Sequence, residues 1–107
     1  MLGKRVALTT RHMNDTTVIT LSGQYDASRR DELDQLLDRY GDAEPLVVDL
    51  HEVVHIDTSA LRSLVRFQRA RQEAGRSPAV LVRPTASVRE FFTLAQLEST
   101  FSIRDEI

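Results

Sequence analysis

The middle of the chain changes from a strand-like to a helical pattern within a few positions, and this change constrains the fold most strongly. An apolar run at residues 46–50 suits a strand covered on both faces, and strand-like residues continue to Ile56. From Leu61 the apolar residues recur at helical spacing. The polar residues 57–59 therefore lie at a junction from a strand to a helix, which is typical of a domain that mixes both elements.

Periodicity elsewhere predicts the other elements. Alternating residues around a turn at residues 13–15 predict an opening hairpin. A short apolar run at 79–82 predicts a later strand, and Phe101-Ser102-Ile103 predicts a last edge strand. Two more helices are predicted from apolar residues at helical spacing: Leu33, Leu36, Leu37 and Tyr40 in one, and Val88, Phe91, Phe92 and Ala95 in the other. The order β-β-α-β-α-β-α-β predicts an α/β fold with a mixed sheet of four to five strands and packed helices.

Two capping signals place the starts of the outer helices. Ser28, followed three residues later by Asp31, is a start signal for the first helix. Ser87, followed by Glu90, is a capping box for the last one. We therefore expect the hydroxyls of Ser28 and Ser87 to accept the first free N–H groups.

Length and composition narrow the possible functions. A chain of 107 residues predicts one domain spanning residues 1–107. With no cysteine there are no disulfides, thiolate metal sites or cysteine nucleophiles. The net charge of −2 argues against general nucleic-acid binding. The N-terminus lacks the apolar run of a signal peptide and no segment has the length of a membrane span, so we expect a cytoplasmic protein without a membrane partner.

The segment His51-Glu52-Val53-Val54-His55 matches the His-Glu-x-x-His pattern of zinc metalloproteases. That pattern binds zinc on a helix, where both imidazoles lie one turn apart on one face. Adjacent valines after a strong strand favour an extended chain, which would separate the histidines by about 13 Å at ~3.3 Å per residue. We therefore expect no metal site, no cofactor and no enzymatic activity.

The alternative is that the chemistry lies at the start of the following helix. Each of Asp57, Thr58 and Ser59 is a residue type that caps helices well, so a simple capped helix explains the pattern. The same two hydroxyls form a plausible phosphorylation site, because helix N-termini accommodate phosphate. Both interpretations are compatible with the residues alone.

A longer pattern around this junction resembles a known family. Residues 49–61 read D-L-x-x-V-x-x-I-D-T-S-A-L, which is similar to the D-L-S-x-V-x-F-I-D-S-S-G-L motif of STAS domains, the sulfate transporter and anti-sigma factor antagonist family. The resemblance continues at residues 21–26, which read L-x-G-Q-Y-D and resemble the family's L-x-G-E-L-D motif, and through the first helix, the strand at 79–82 and the last helix. It implies a STAS-like single domain.

The resemblance also implies a function and its residues. Anti-sigma factor antagonists of this family bind an anti-sigma factor with serine-kinase activity and free a sigma factor, until phosphorylation stops the binding and a phosphatase resets it. The phosphorylated position corresponds to Ser59, with Thr58 as the less favoured acceptor. By analogy Asp57 shapes the acceptor loop, and Asp26 lies on a neighbouring loop of the same surface.

Three departures from the family pattern carry expectations of their own. Ala60 and Gln96 stand where the family has glycine, so a positive φ at Ala60 would be strained. Arg62 follows Ser59 by one turn and could contact an acidic partner, clamp a phosphate or simply face solvent. The competing function is a STAS scaffold or ligand-binding module in a signalling or transport assembly, acting without phosphorylation.

Overall fold

Strand pairing accounts for most of the architecture. The computed structural model describes residues 7–13, 15–96 and 101–106. Its elements, in chain order, are β1 (Ala7–Met13), β2 (Thr16–Tyr25), a 3₁₀ turn (Ala27–Arg29), α1 (Arg30–Arg39), β3 (Leu46–Ile56), α2 (Thr58–Glu73), β4 (Val80–Val82), α3 (Ala86–Leu94) and β5 (Ser102–Arg104).

The five strands form one mixed sheet in the order β1-β2-β3-β4-β5. The β1–β2 hairpin is antiparallel, and β2 to β5 run parallel to their neighbours. This confirms the predicted mixed sheet, with five strands. Because right-handed crossovers carry the chain from β2 to β5 in one direction, the three helices lie on the same face of the sheet.

One core joins this helical face to the sheet. Buried side chains from all three helices belong to a single cluster with the inward residues of β2, β3 and β4. Phe92 of α3 packs against Phe101 with ring centroids 5.6 Å apart. Among the described residues, no helix has the length and apolar character needed to cross a membrane.

Strand β3 departs from regular pairing at two places. Thr20 and Ser22 of β2 pair with Asp49 and Glu52, and another extra residue of β3 follows Val53. Each is a β-bulge, in which one strand inserts a residue that its partner does not match. As a result, burial beyond Leu50 repeats every third residue instead of every second one, and the two exposed pairs are His51-Glu52 and Val54-His55.

Both capping predictions for the outer helices are wrong in their details. Helix α1 begins at Arg30 after the 3₁₀ turn, and its N-cap residue Arg29 makes no side-chain capping bond. Helix α3 is capped two residues earlier than predicted, because the Thr85 hydroxyl accepts the N–H of Val88 at 3.4 Å. Several residues whose side chains can cap a helix lie near each of these starts, so their spacing in the sequence did not decide which one forms the cap.

A buried arginine ties the loops at the opposite end of the sheet. Arg71 of α2 is 1% exposed, and its guanidinium donates to the carbonyls of Gly41, Ala43 and Ser77 at 2.7–3.0 Å. Burial lowers the pKa of this guanidinium. The side chain therefore connects the loop before β3 to the loop after α2, far along α2 from the strand-to-helix junction.

Candidate functional site

The candidate site lies where two neighbouring parallel strands end. Tyr25 and Ile56 are paired at the carboxyl ends of β2 and β3, and the N–H of Asp57 donates to the Tyr25 carbonyl at 3.1 Å. Asp26 and Asp57 each follow directly after these strands. The structure thus brings Asp26 to the same edge of the sheet as residues 57–59, as the family resemblance implied. Carboxyl ends of parallel strands are where open α/β sheets commonly bind ligands.

Asp57 sets the start of helix α2. Its backbone is extended, and its side-chain oxygen Oδ1 accepts the N–H of Ala60 at 3.1 Å, which makes it the N-cap. Thr58 and Ser59 are then the first two helical residues; Thr58 is exposed and Ser59 half-buried. Of the three residue types that suited this cap, the aspartate takes it, which leaves both hydroxyls available for other contacts.

The strain expected at Ala60 is absent. The residue lies within α2, is not among the described residues with positive φ, and is 1% exposed in the core. Alanine therefore replaces the family's glycine here without a backbone penalty, because the helix begins before this position. Gln96 behaves differently: it has φ 60°, a left-handed conformation that favours glycine.

The first turn of α2 retains an uncompensated positive end. Within the described parts of the chain, the N–H groups of Thr58 and Ser59 donate to no other group, whereas the N–H groups of Ala60 and Leu61 donate to Asp57. Free N–H groups and the helix dipole together favour a negative charge at this point. A phosphate attached to the Ser59 hydroxyl would therefore be stabilised by the helix dipole and by the free N–H groups.

Asp26 adds an ionised carboxylate beside this helix start. Its Oδ1 accepts the hydroxyl of Ser28 at 2.5 Å and the Ser28 N–H at 3.0 Å. These bonds lower the pKa of Asp26, and the charges of Arg29 and His55 act in the same direction. The predicted capping residue Ser28 thus serves Asp26 instead of α1, and the loop that carries Asp26 is held by its own side chain.

Arg62 lies on the exposed side of α2, one turn beyond Ser59. Within the part of the chain that the structure describes, it makes no ion pair or side-chain hydrogen bond, unlike Arg66, which contacts Asp34 at 3.3 Å. A helical residue three positions from Ser59 lies on the same side of the helix. Arg62 is thus placed to contact either a partner or a group attached to Ser59.

A groove of about 400 Å³ opens beside these residues. It is lined by His55, Ile56, Asp57 and Thr58 from the end of β3 and the start of α2, and by Ser87, Val88 and Phe91 from α3. The contribution of α3 was missed from the sequence. This contribution could have been predicted, because α3 follows β4 and the carboxyl ends of parallel strands share one edge of the sheet.

The His-Glu-x-x-His segment is extended throughout, inside β3. His51 contacts the buried carboxylate of Asp49 through Nδ1 at 2.9 Å and Glu52 through Nε2 at 3.2 Å, whereas His55 lines the groove. The one-turn spacing on which the zinc motif depends is therefore not formed. A search of the described residues finds no group of three His, Asp or Glu side chains placed to hold a metal ion.

Asp49 anchors a polar cluster on the face of the sheet opposite the helices. Val48 and Leu50 belong to the helical-side core, so the side chain between them points the other way. Its carboxylate, 0% exposed, accepts the His51 N–H at 3.1 Å and binds the Arg83 guanidinium. Burial works to raise the pKa of Asp49, but the hydrogen bonds from Arg83 and His51 outweigh it and the pKa is lowered.

Comparison with solved structures finds the same fold in other proteins. A candidate anti-sigma factor antagonist from Thermotoga maritima aligns with a TM-score of 0.83 at 17% identity, over 94% of this chain and 87% of the other. The phosphorylated form of the Bacillus cell fate determinant SpoIIAA aligns with a TM-score of 0.65 at 16% identity, over 91% and 90%. These similarities establish a shared fold.

The fold also occurs as part of a much larger protein. The murine anion transporter Slc26a9 aligns with a TM-score of 0.73 at 11% identity, over 97% of this chain and 21% of the transporter. A search of curated protein sequences finds no match. A family model described as "Mlab, STAS domain" matches residues 8–104, nearly the whole chain. The chain therefore belongs to the STAS domain family.

Proposed function

We propose that this protein is an anti-sigma factor antagonist: it binds an anti-sigma factor that is also a serine kinase, and phosphorylation of Ser59 switches the binding off. The observation that carries this proposal is the position of Ser59 as the second residue of α2, half-buried at the sheet edge that also holds Asp26 and Asp57. We propose a binding module and kinase substrate, with no catalytic activity of its own.

The proposed switch acts on the surface and leaves the fold unchanged. A phosphate on Ser59 adds about −1.5 to −2 charges and three acceptor oxygens. The free N–H groups of the first turn and the unpaired guanidinium of Arg62 would hold that charge within this chain. A partner packed against the same surface would meet the added bulk and lose contact with Thr58 and Ser59. Each 1.4 kcal/mol lost in such an interface weakens binding about tenfold.

A phosphorylation assay tests the acceptor. The purified chain is incubated with ATP and each serine-kinase anti-sigma factor of the same genome, and the modified residue is identified by mass spectrometry. We expect one phosphate, on Ser59, and none on the Ser59→Ala variant. Thr58→Val serves as the matched control, because it removes the neighbouring hydroxyl and should still be phosphorylated.

A binding assay tests the switch itself. The dissociation constant for the same anti-sigma factor is measured with the wild type and with Ser59→Asp. We expect the substitution to weaken binding at least tenfold. A chain that carries no phosphate on Ser59, and that binds equally well as Ser59→Asp, would refute the phosphorylation switch.

A second candidate function has its own support. The matching family model is described as "Mlab, STAS domain", and one structural match is an anion transporter. These favour a STAS scaffold or ligand-binding module in a signalling or transport assembly, acting without phosphorylation. Affinity purification decides between the two: a stable non-kinase partner whose binding is insensitive to Ser59→Asp would support the scaffold.

A further inference from the structure

Strand β3 has a partner strand on only one side over its last residues. On the β2 side it is paired as far as Ile56, but on the β4 side its pairing ends at Asp49, opposite Val82. Within the described ranges, no backbone hydrogen bond joins residues 52–56 to the segment between β4 and α3. Half of this central strand is therefore a sheet edge.

The chain itself keeps this edge open. Arg83 follows β4 with φ 55°, its N–H donates to the Arg104 carbonyl at 2.8 Å, and its guanidinium returns to Asp49. At this position the backbone is therefore bonded to β5, and among the described residues it makes no backbone hydrogen bond to β3. The His51 N–H is already taken by the Asp49 carboxylate, so the available stretch begins at Glu52. Five residues offer about 16 Å of edge at ~3.3 Å per residue.

The side chains along this edge suit a particular kind of partner. Val54 is 65% exposed, one of two large apolar residues exposed on the described surface, and it lies in the middle of the stretch. The apolar groove lined by Ile56, Val88 and Phe91 runs beside the far end. Glu52, at the near end, exposes about half of its side chain. A segment with apolar residues opposite Val54 and the groove, and with a basic residue opposite Glu52, would complement this edge.

We propose that residues 52–56 are a docking edge for an extended segment of a protein partner, which adds a strand to the sheet. In this mode the main-chain bonds supply affinity, and pockets for alternate side chains supply specificity. The two bulges and the charge of Glu52 limit unspecific pairing of the edge. The inference relies on the proposed function for the partner's identity, the anti-sigma factor. It would account for the proposed sensitivity to Ser59, because β3 leads directly into the start of α2 that carries this residue.

Backbone recognition is tested with peptides. Overlapping peptides from the anti-sigma factor are titrated into the isotope-labelled chain, and amide exchange is measured by NMR. We expect one peptide to slow exchange at least tenfold for amides within residues 52–56. Two versions of that peptide are then made, one methylated at the odd-numbered backbone nitrogens and the other at the even-numbered ones. Methylation keeps the side chains but removes the N–H donors that face one side of the strand. The version that lacks the N–H donors facing β3 should bind at least tenfold more weakly.

Side-chain recognition is tested with a matched pair of variants. Val54→Lys should weaken binding of the intact anti-sigma factor at least tenfold. Leu94→Lys makes the same change at the other exposed apolar residue, on α3, and should change binding less than twofold. If the anti-sigma factor binds in a Ser59-sensitive manner but exchange at residues 52–56 is unchanged, the docking edge is refuted and the proposed function stands.

The reverse outcome is also distinguishable. If no anti-sigma factor binds, the proposed function fails, and the edge is tested alone by panning a displayed library of twelve-residue peptides on the full chain. Enriched peptides that Val54→Lys rejects and Leu94→Lys retains would support the docking edge. Enrichment insensitive to Val54→Lys, or no enrichment at all, would refute it.

Discussion

Asp57 holds the first turn of α2 through one side-chain oxygen, which accepts the Ala60 N–H. Asp57→Ala removes this cap, and caps of this type contribute about 1 kcal/mol. We therefore expect the free energy of unfolding in urea to fall by about 1 kcal/mol. Asp57→Asn caps equally well but lacks the charge, so it should retain stability. Any loss of partner binding in Asp57→Asn would then report the carboxylate and not the helix.

Asp49 makes stability depend on pH. Its pKa is lowered in the folded chain, as are the pKa values of Asp26 and Glu44, which accept hydrogen bonds from Ser28 and Ser77. A carboxyl with a lowered folded pKa contributes stability above its unfolded pKa of about 4 and loses it as pH falls through the folded value. We expect the free energy of unfolding to be constant near neutrality and to fall below about pH 4.

The Asp49→Asn variant isolates the contribution of this carboxylate. It loses charge-assisted bonds to Arg83 and His51, each worth about 1.5–3 kcal/mol, and should be less stable than wild type at pH 7. Its unfolding free energy should decline less between pH 5 and pH 3. If the unfolding free energy of this variant fell between pH 5 and pH 3 as much as that of the wild type, other carboxyls would be responsible for the pH dependence.

At the scale of single residues, the sequence predicted positions better than conformations. The resemblance to the family implied that Asp26, Asp57 and Ser59 share one surface, and the structure places Asp26 and residues 57–59 at one edge of the sheet. The sequence did not predict which of residues 57–59 would cap the helix, since all three types are suitable. The expected strain at Ala60 depended on where the helix begins, a boundary that pattern reasoning places only to within a few residues.

At the scale of elements, β3 shows where periodicity stops being informative. The apolar run at residues 46–50 predicted a strand, and the structure continues it to Ile56. Two bulges then change the burial repeat, so Val53 is buried although regular alternation would place it on the same face as the exposed His51 and His55. The bulges depend on how β3 fits against β2, and a local sequence pattern does not reveal this fit.

Arg71 links elements that are distant in sequence. Arg71→Leu would leave the carbonyls of Gly41, Ala43 and Ser77 without their donor, and net hydrogen bonds of about 1 kcal/mol each give a loss on the order of 3 kcal/mol. Equilibrium unfolding in urea measures it. Arg69→Leu, on the exposed side of the same helix, should stay within about 0.5 kcal/mol. Equal effects of the two substitutions would contradict a linking role for Arg71.

At the scale of the whole molecule, the order of elements determined the fold. A hairpin followed by alternating helices and strands predicted the mixed sheet, and right-handed crossovers place the helices on one face. The groove beside α3 and the free edge of β3 were not predicted. The free edge arises because β4 is only three residues long and pairs with a small part of β3, a mismatch of lengths that no local pattern reveals.

The proposed switch requires the folded state to tolerate charge at Ser59, and Ser59→Asp tests this for the whole molecule. A negative charge in the first turn of a helix stabilises it by about 0.3–1 kcal/mol, so the free energy of unfolding should be unchanged or slightly higher. The NMR fingerprint should change only near the start of α2. Thr58→Asp puts a similar charge on the neighbouring, more exposed residue and should bind the anti-sigma factor better than Ser59→Asp does. A Ser59→Asp chain that unfolds at lower urea concentration would mean that its weaker binding reflects damage to the fold.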